Sequence, residues 1–339
     1  MFWVLLRDAQ RDGASDLHIQ AGSKPFVRRQ GLVRMVGAEP LEAGPVRELL
    51  DAILDPPQRE ALRREGQVDG GWNVGEGLRC RFNCFEAMRG PGVVLRLVPA
   101  RVPTLETLGL PGILARFTGF SQGLVLVTGP AGCGKSSTVA ALVQLVNEER
   151  KENILVLEDP IEFVYRPAGC NILQRQVPEH SASYATALRA ALREDPDVIV
   201  IGEMRDLETV SLALSAAETG HLVLGTMHTR DAPGTVERVI GIFPPDQQGQ
   251  VRSMLSESLR GVVSQRLLLR ADGKGRVPAL EILFNNHAIA NLIRENRTFQ
   301  IANLMQMGHT QGMCTMKDSC TRLALEGVVT RQEVALAQA

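Results

Sequence analysis

One ten-residue stretch, GPAGCGKSST from Gly129 to Thr138, restricts the fold of this chain more than any other. It matches the spacing G-x-x-x-x-G-K-[ST], with the lysine at Lys135 and the hydroxyl residue at Ser136. The apolar run GLVLVT precedes it, and a segment with apolar residues three and four apart follows it. The context predicts a buried strand, a loop that binds phosphate through backbone N–H groups, and a helix that begins at the loop.

The loop residues have separate expected roles. Lys135 would reach the β- and γ-phosphates of a nucleotide, and the Ser136 hydroxyl would bind Mg²⁺. The alternative is a glycine-rich turn with a chance lysine, which the flanking strand and helix disfavour. The predicted phosphate-binding residues are Gly129, Pro130, Ala131, Gly132, Cys133, Gly134, Lys135, Ser136 and Ser137.

Cys133 is an unusual residue within this loop. Its position beside Lys135 and a helix N-terminus favours a lowered thiol pKa and a modifiable side chain. The alternative is a small residue that is tolerated because its backbone N–H does the binding, and we favour that interpretation.

Acidic residues follow two further apolar runs. ILVLEDPIE places Glu158 and Asp159 at the end of a strand with Glu162 beyond them, and DVIVIGEMRD places Glu203 at the end of another. Short apolar strands alternating with helical segments predict a parallel sheet covered on both faces, and ligands of such sheets bind at the carboxyl ends of the strands. Glu203 and Glu158 are therefore candidate catalytic acids, and Glu158 with Ser136 forms the candidate metal site. Helix caps and solvated loop acids are the structural alternatives.

Two histidines flank the strand in GHLVLGTMHT. His228 follows the strand, where it would face phosphate, whereas His221 precedes it. Three arginines, Arg79, Arg81 and Arg96, are expected on one face of a hairpin formed by GLRCRFNCF and VVLRLVP. Either feature is also explained structurally, by a satisfied core histidine or a solvated strand face.

Composition excludes several classes of protein. The 339 residues carry a net charge of −1 and only 4% aromatic residues, which disfavours a nucleic-acid-wrapping protein or a base-stacking surface. No window approaches the roughly 18 apolar residues of a membrane span. The six cysteines lack CxxC spacing, so we expect no zinc ribbon and infer a cytoplasm with reduced thiols.

The chain divides into an N-terminal region and a larger C-terminal one. Two strands are expected around Gln30–Gly31, one or two helices over residues 44–65 with a break at Pro56–Pro57, and a hairpin with its turn at residues 89–92. Proline and threonine mark a boundary near residue 100. We predict an N-terminal domain at residues 1–99, a linker at 100–111, and a phosphate-loop domain at 112–339 that ends in a mostly helical tail with a hairpin at Asp272–Gly273.

Taken in order, the motifs identify a resemblance. ASDLHIQAG, RCRFNCF, the phosphate loop, LEDPIEFVY, ALREDPDVIVIGEMRD, GHLVLGTMHT and AIANLIRENRTFQI together resemble the secretion-ATPase superfamily, and within it the PilT-type retraction ATPases of type IV pili. The resemblance covers nearly the whole chain. One departure is Ala290, which replaces an arginine of the late AIRNLIRE signature and removes one polar contact of that motif.

The resemblance implies both a fold and an activity. It implies an α/β fold in which a PAS-like α+β N-terminal domain is joined by a flexible linker to a RecA-like ATPase domain, with nucleotide between the two. It implies hydrolysis of ATP with Mg²⁺ by a hexameric ring that powers pilus retraction and twitching motility. By matching motif, Glu203 is the catalytic glutamate and Glu158 a second essential acid. His221 and His228 fall on the histidine box, and Arg79, Arg81 and Arg96 match the arginines that complete the nucleotide site.

The resemblance also implies partners and a location. The ring would sit in the cytoplasm against an inner-membrane pilus platform protein, with a paralogous retraction ATPase as a further partner, and without nucleic acid. One rival is a pilus assembly or type II secretion ATPase, which usually carries a tetracysteine insert that this chain lacks. A nucleic-acid motor on a RecA-like core is the more distant rival.

Overall fold

The computed structural model describes residues 2–29, 32–75, 78–98 and 101–338. The chain forms two compact units, residues 1–101 and 102–339. Within the described ranges, no helix is both long and apolar enough to cross a membrane.

In its described residues, the first unit is an antiparallel sheet with three helices. Its helices are α1 (Phe2–Arg11), α2 (Ala43–Ile53) and α3 (Pro56–Glu65), and its strands are β1 (Asp16–Gln20), β2 (Phe26–Arg29), β3 (Leu32–Met35), β4 (Gln67–Gly75), β5 (Leu78–Ala87) and β6 (Gly90–Val98). Across the described residues the strand order is β3-β2-β1-β6-β5-β4.

Apolar and polar residues alternate along most of β5, so one face of this sheet is buried and the other is partly exposed. Leu78, Cys80, Phe82 and Cys84 are buried, while the residues between them lie on the other, partly exposed face. The predicted hairpin of β5 and β6 is confirmed, but its turn is Met88–Arg89 rather than residues 89–92, because Ala87 pairs directly with Gly90. The predicted turn at Gln30–Gly31 lies outside the described residues.

The predicted helical break is also confirmed in this unit. Pro56 and Pro57 open α3, where a missing N–H costs nothing, and Asp55 with Gln58 forms a capping box ahead of them.

The second unit is a mainly parallel sheet between helices. Its strands are β7 (Gly123–Thr128), β8 (Asn153–Glu158), β9 (Asn171–Gln176), β10 (Val198–Ile201), β11 (Leu222–Met227), β12 (Leu259–Leu269) and β13 (Arg276–Phe284). Its helices are α4 (Lys135–Glu149), α5 (Tyr184–Ala191), α6 (Leu207–Glu218), α7 (Ala232–Gly241), α8 (Gln248–Ser258), α9 (His287–Arg294), α10 (Ile301–Met307), α11 (Met316–Leu325) and α12 (Arg331–Gln338). In the part of the chain described, the strand order is β13-β12-β7-β11-β10-β8-β9, with β13 antiparallel to β12.

Burial on both faces distinguishes this sheet. Every residue of β7, β10 and β11 is buried, as expected for parallel strands between two layers of helices. The predicted parallel α/β fold is confirmed, as is the hairpin at Asp272–Gly273, although the final region contributes two long strands as well as helices. β9 gave no clear signal in the sequence, because only two of its six residues, Ile172 and Leu173, are apolar.

The segment expected to be a linker packs on the second unit. Val102, Leu105 and Leu108 are partly buried against its core, and Leu110 is fully buried. Apolar side chains spaced three residues apart hold this stretch on the unit that follows it.

Candidate nucleotide site

Four parallel strands end side by side at one edge of the second sheet. Thr128 at the end of β7 pairs with Met227 of β11, and Ile201 at the end of β10 pairs with both Gly225 of β11 and Leu157 of β8. The residues that follow these strands therefore lie close together. They surround a cavity of about 490 Å³ whose walls include Ala131, Gly132, Lys135, Ser136, Glu158, Asp159, Glu162, Tyr184, Glu203, Arg205 and His228.

Glycine is required where the phosphate loop passes β12. Gly129 has a φ of +139°, and a Cβ there would lie 2.3 Å from the carbonyl oxygen of Gln265. The Gln265 side chain then braces the loop, since its Nε2 donates to the Cys133 carbonyl (2.7 Å) and its Oε1 accepts from Thr138 Oγ1 (2.6 Å). Sequence reasoning did not single out Gln265, which lies 127 positions from Thr138 along the chain.

Lys135 is buried and fully hydrogen-bonded. Its Nζ donates to the carbonyl oxygens of Gly129 and Pro130, both at 2.9 Å, and lies 3.5 Å from His228 Nδ1. An ammonium group has three donors, so all of them point at loop or histidine acceptors.

His228 connects the lysine to Glu203. Its Nε2 lies 3.0 Å from Glu203 Oε1. The neutral tautomer with its proton on Nε2 satisfies both contacts, because Nδ1 then accepts from Lys135 while Nε2–H donates to the carboxylate.

Glu203 also forms an ion pair with Arg205. The guanidinium contacts both carboxylate oxygens, through Nε to Oε1 and through Nη2 to Oε2 at 2.6 Å. Burial raises the pKa of Glu203, but the hydrogen bonds from Arg205 and His228 and the charge of Arg205 outweigh it and hold that pKa below its usual value. Glu203 is therefore an ionised acceptor at neutral pH. Arg205 was not predicted from the sequence.

Ser136 and Glu158 both line the cavity, as do Asp159 and Glu162. Hydroxyl and carboxylate oxygens are the ligands that Mg²⁺ prefers, so the residues present fit the predicted ion. Tyr184 also lines the cavity, and its phenol is protonated at neutral pH because burial and the nearby Asp159 and Glu158 raise its pKa.

The Cys133 thiol does not have the lowered pKa that its position favoured. Burial raises its pKa more than the charge of Lys135 lowers it, and the residue is only 3% exposed. A Cβ on Gly129 would lie 2.7 Å from its Sγ, so the thiol fills the space beside that glycine. The interpretation of a small packed residue fits this environment.

A second cavity, of about 620 Å³, adjoins the loop on its other side. Loop residues 130–133 share it with Arg266, Leu267, Arg276 and the C-terminal helix residues Glu333 and Leu336. Glu333 fixes α12 there, because its Oε1 accepts from the Leu269 backbone N–H at 2.9 Å.

His221 does not line this cavity. His221 lies at the opposite end of β11 from His228, about 20 Å away for a six-residue strand. There its Nδ1 contacts the Ala216 carbonyl oxygen (3.0 Å), and its own carbonyl accepts from Gly123 N.

The predicted arginines lie on the first unit. Arg79 and Arg81 are on β5, and Arg96 on β6 is the direct cross-strand neighbour of Arg81. Arg96 also pairs with the buried Asp16 on β1, Nε to Oδ1 at 3.0 Å. The functional assignments of His221 and of the three arginines stay predictions.

A parallel sheet with a lysine-bearing phosphate loop and acidic residues at the adjacent strand ends defines a P-loop nucleotide-binding protein. The family model for type II/IV secretion system proteins matches residues 65–335, and the chain belongs to that family.

Known members of the family are similar to this chain over almost its whole length. It is 45% identical to the type IV pilus retraction ATPase PilT of Pseudomonas aeruginosa, over 97% of this chain and 95% of that protein. It is also 45% identical to a twitching motility protein of Neisseria gonorrhoeae, over 90% and 82% of the two chains. The crystal structure of the pilus retraction motor PilT with bound ADP superimposes with a TM-score of 0.91 at 43% identity, covering 98% of this chain and 95% of that one. The resemblance inferred from the motifs is confirmed.

Proposed function

We propose that this protein is an ATPase that powers retraction of type IV pili. The observation that carries the proposal is the contact chain from Lys135 through His228 to Glu203, which joins a phosphate-binding group to an ionised base across one cavity. The similarity to PilT over nearly the full chain supplies the biological setting.

The proposed reaction is hydrolysis at the γ-phosphate. Water attacks the γ-phosphorus, Glu203 accepts its proton, and the bond to the β–γ bridging oxygen breaks to give ADP and phosphate. Lys135 and the loop N–H groups hold the phosphates, so catalysis rests mainly on positioning and charge stabilisation. Ser136 and Glu158 would hold Mg²⁺, which neutralises phosphate charge when bound.

The base and ribose would occupy the second cavity. That cavity continues from loop residues 130–133, and Leu267 and Leu336 give it apolar walls. A purine needs such surfaces on its faces and polar groups at its edges.

We further propose a homohexamer in which hydrolysis moves one unit of the chain against the other. Arg79, Arg81 and Arg96 would complete a nucleotide site, and His221 would act as part of the histidine box. The ring would work in the cytoplasm at the membrane base of the pilus, on a platform protein and with a paralogous retraction ATPase.

Glu203→Ala tests the catalytic assignment. We expect it to retain ATP binding and to lose at least ~10²-fold in turnover, the usual contribution of a general base. Glu218→Ala, on the exposed end of α6, is the matched control and should hydrolyse ATP at the wild-type rate. Wild-type turnover in Glu203→Ala would overturn the assignment.

A deletion strain tests the biological role. Loss of a retraction ATPase leaves pili on the surface and abolishes twitching, whereas loss of an assembly ATPase removes the pili. Stimulation of the ATPase several-fold by DNA at physiological salt would instead indicate a nucleic-acid motor.

A further inference from the structure

Arg205 occupies a fixed position although its side chain is exposed. Met204, the residue between Glu203 and Arg205, is buried, and its N–H donates to the Thr226 carbonyl at 2.9 Å. On the other side Asp206 caps α6 by accepting from Thr209 N at 2.8 Å. The backbone of Arg205 is thus anchored on both sides, which directs the side chains of Glu203 and Arg205 toward the same cavity.

The contacts to Glu203 leave one acceptor position open. A carboxylate offers about four lone-pair positions on its two oxygens. Arg205 Nε and His228 Nε2 both bind Oε1, and Arg205 Nη2 binds Oε2. The remaining lone pair is therefore on Oε2.

We propose that Arg205 is a positioning residue for hydrolysis, which orients Glu203 so that the free lone pair of Oε2 receives the proton of the attacking water. The inference rests on the proposed role of Glu203 as the base. The planar guanidinium is suited to the task, because two parallel N–H groups fix the plane of the carboxylate as a point charge cannot.

The charges around the pair are consistent with this role. The cavity is lined by further acidic residues, Glu158, Asp159 and Asp206, and by the basic residues Lys135 and His228. Glu203 raises the pKa of the Arg205 guanidinium most strongly, and the negative charge of Asp159 adds to that effect.

Arg205 is suited to substitution because its side chain is exposed. Its side chain is 76% exposed, so a substitution there removes little packing and the variants should fold. For Arg205→Gln we expect kcat to fall about ten- to a hundredfold, as for other losses of orientation, while the KM for ATP stays within about twofold. Arg205→Lys, which keeps the charge but not the fork, should recover only part of the loss.

A double substitution separates positioning from direct catalysis. If Arg205 acts through Glu203, then adding Arg205→Gln to Glu203→Gln should change the residual turnover by less than about twofold. Arg189→Gln, which breaks an exposed pair with Glu208 outside the cavity, is the control and should leave kcat unchanged.

Three results would overturn the inference. They are an unchanged kcat in Arg205→Gln, a rise in KM alone, which would place Arg205 on the bound nucleotide, and an undiminished effect in the Glu203→Gln background. Wild-type turnover in Glu203→Gln would instead contradict the proposed function itself, so the two failures can be told apart.

Discussion

The two sheets of this protein place their polar groups in different ways. In the antiparallel sheet of the first unit, charged residues such as Arg81, Arg96 and Asp16 lie along one face, because alternate residues of each strand turn outward. In the parallel sheet of the second unit the strands are buried on both faces, and charge occurs where the strands end. Charged residues spread along a strand face form an open surface, whereas charged residues at converging strand ends form a pocket.

Core truncation should show the largest difference between these environments. Leu224 is fully buried in the middle of β11, whereas Leu32 on β3 is 75% exposed. We expect Leu224→Ala to cost about 2–5 kcal/mol of unfolding free energy through lost burial and a residual cavity. Leu32→Ala should stay within about 0.5 kcal/mol. Urea denaturation of both variants measures the contrast, and equal losses would contradict it.

The strand-end pocket should depend on Lys135. Lys135→Ala removes the ammonium that bridges the loop and His228, and we expect at least a ~10²-fold loss of ATP turnover, as for other charge-stabilising donors. Lys151→Ala changes an exposed lysine just beyond the end of α4 and serves as the control. Steady-state hydrolysis assays on both variants would measure the loss of turnover in Lys135→Ala. Comparable rates in the two variants would show that the pocket is not the site of hydrolysis.

The pH dependence of turnover should report the environment of Glu203. Its pKa is lowered, so the ionised base persists as the pH falls below the usual glutamate range, near 4.3. Turnover should therefore hold on the acid side and decline, about tenfold per pH unit, only below the lowered pKa. Circular dichroism recorded at each pH separates this loss from acid unfolding. A decline that begins between pH 6 and 5 in folded protein would contradict the assignment.

The smallest effect is expected on the strand face of the first unit. Arg96→Gln leaves the buried Asp16 carboxylate without its guanidinium partner, although Ser15 Oγ still donates to it at 2.8 Å. We expect a loss of about 1 kcal/mol, since Arg96 itself is largely exposed. Chemical denaturation gives the cost, and a parallel ATPase assay sharpens the comparison. A tenfold loss of turnover without a loss of stability would assign Arg96 to a nucleotide site rather than to the sheet.

Local patterns in the sequence identified most of the elements and half of the pocket. The phosphate loop, the strand-end glutamates and His228 follow from short-range spacing, because backbone periodicity and turn chemistry act over a few residues. Gln265, Arg205 and Tyr184 carry no such signal. Gln265 binds groups that lie more than 120 positions away along the chain, which short-range spacing cannot reveal. The pairing of Arg205 with Glu203 depends on the direction of two side chains, which the sequence does not specify.

By itself, the sequence determined that a buried strand leads into a phosphate loop and a helix, and that the other strands end in acids or a histidine. Only the tertiary structure decided which of these ends meet. Helical crossovers insert β11 and β10 between β7 and β8, so Lys135 touches His228 across 93 positions of chain, while His221 is carried to the far end of the same strand. The order of strands depends on how helices pack over the whole sheet, and no local spacing encodes it.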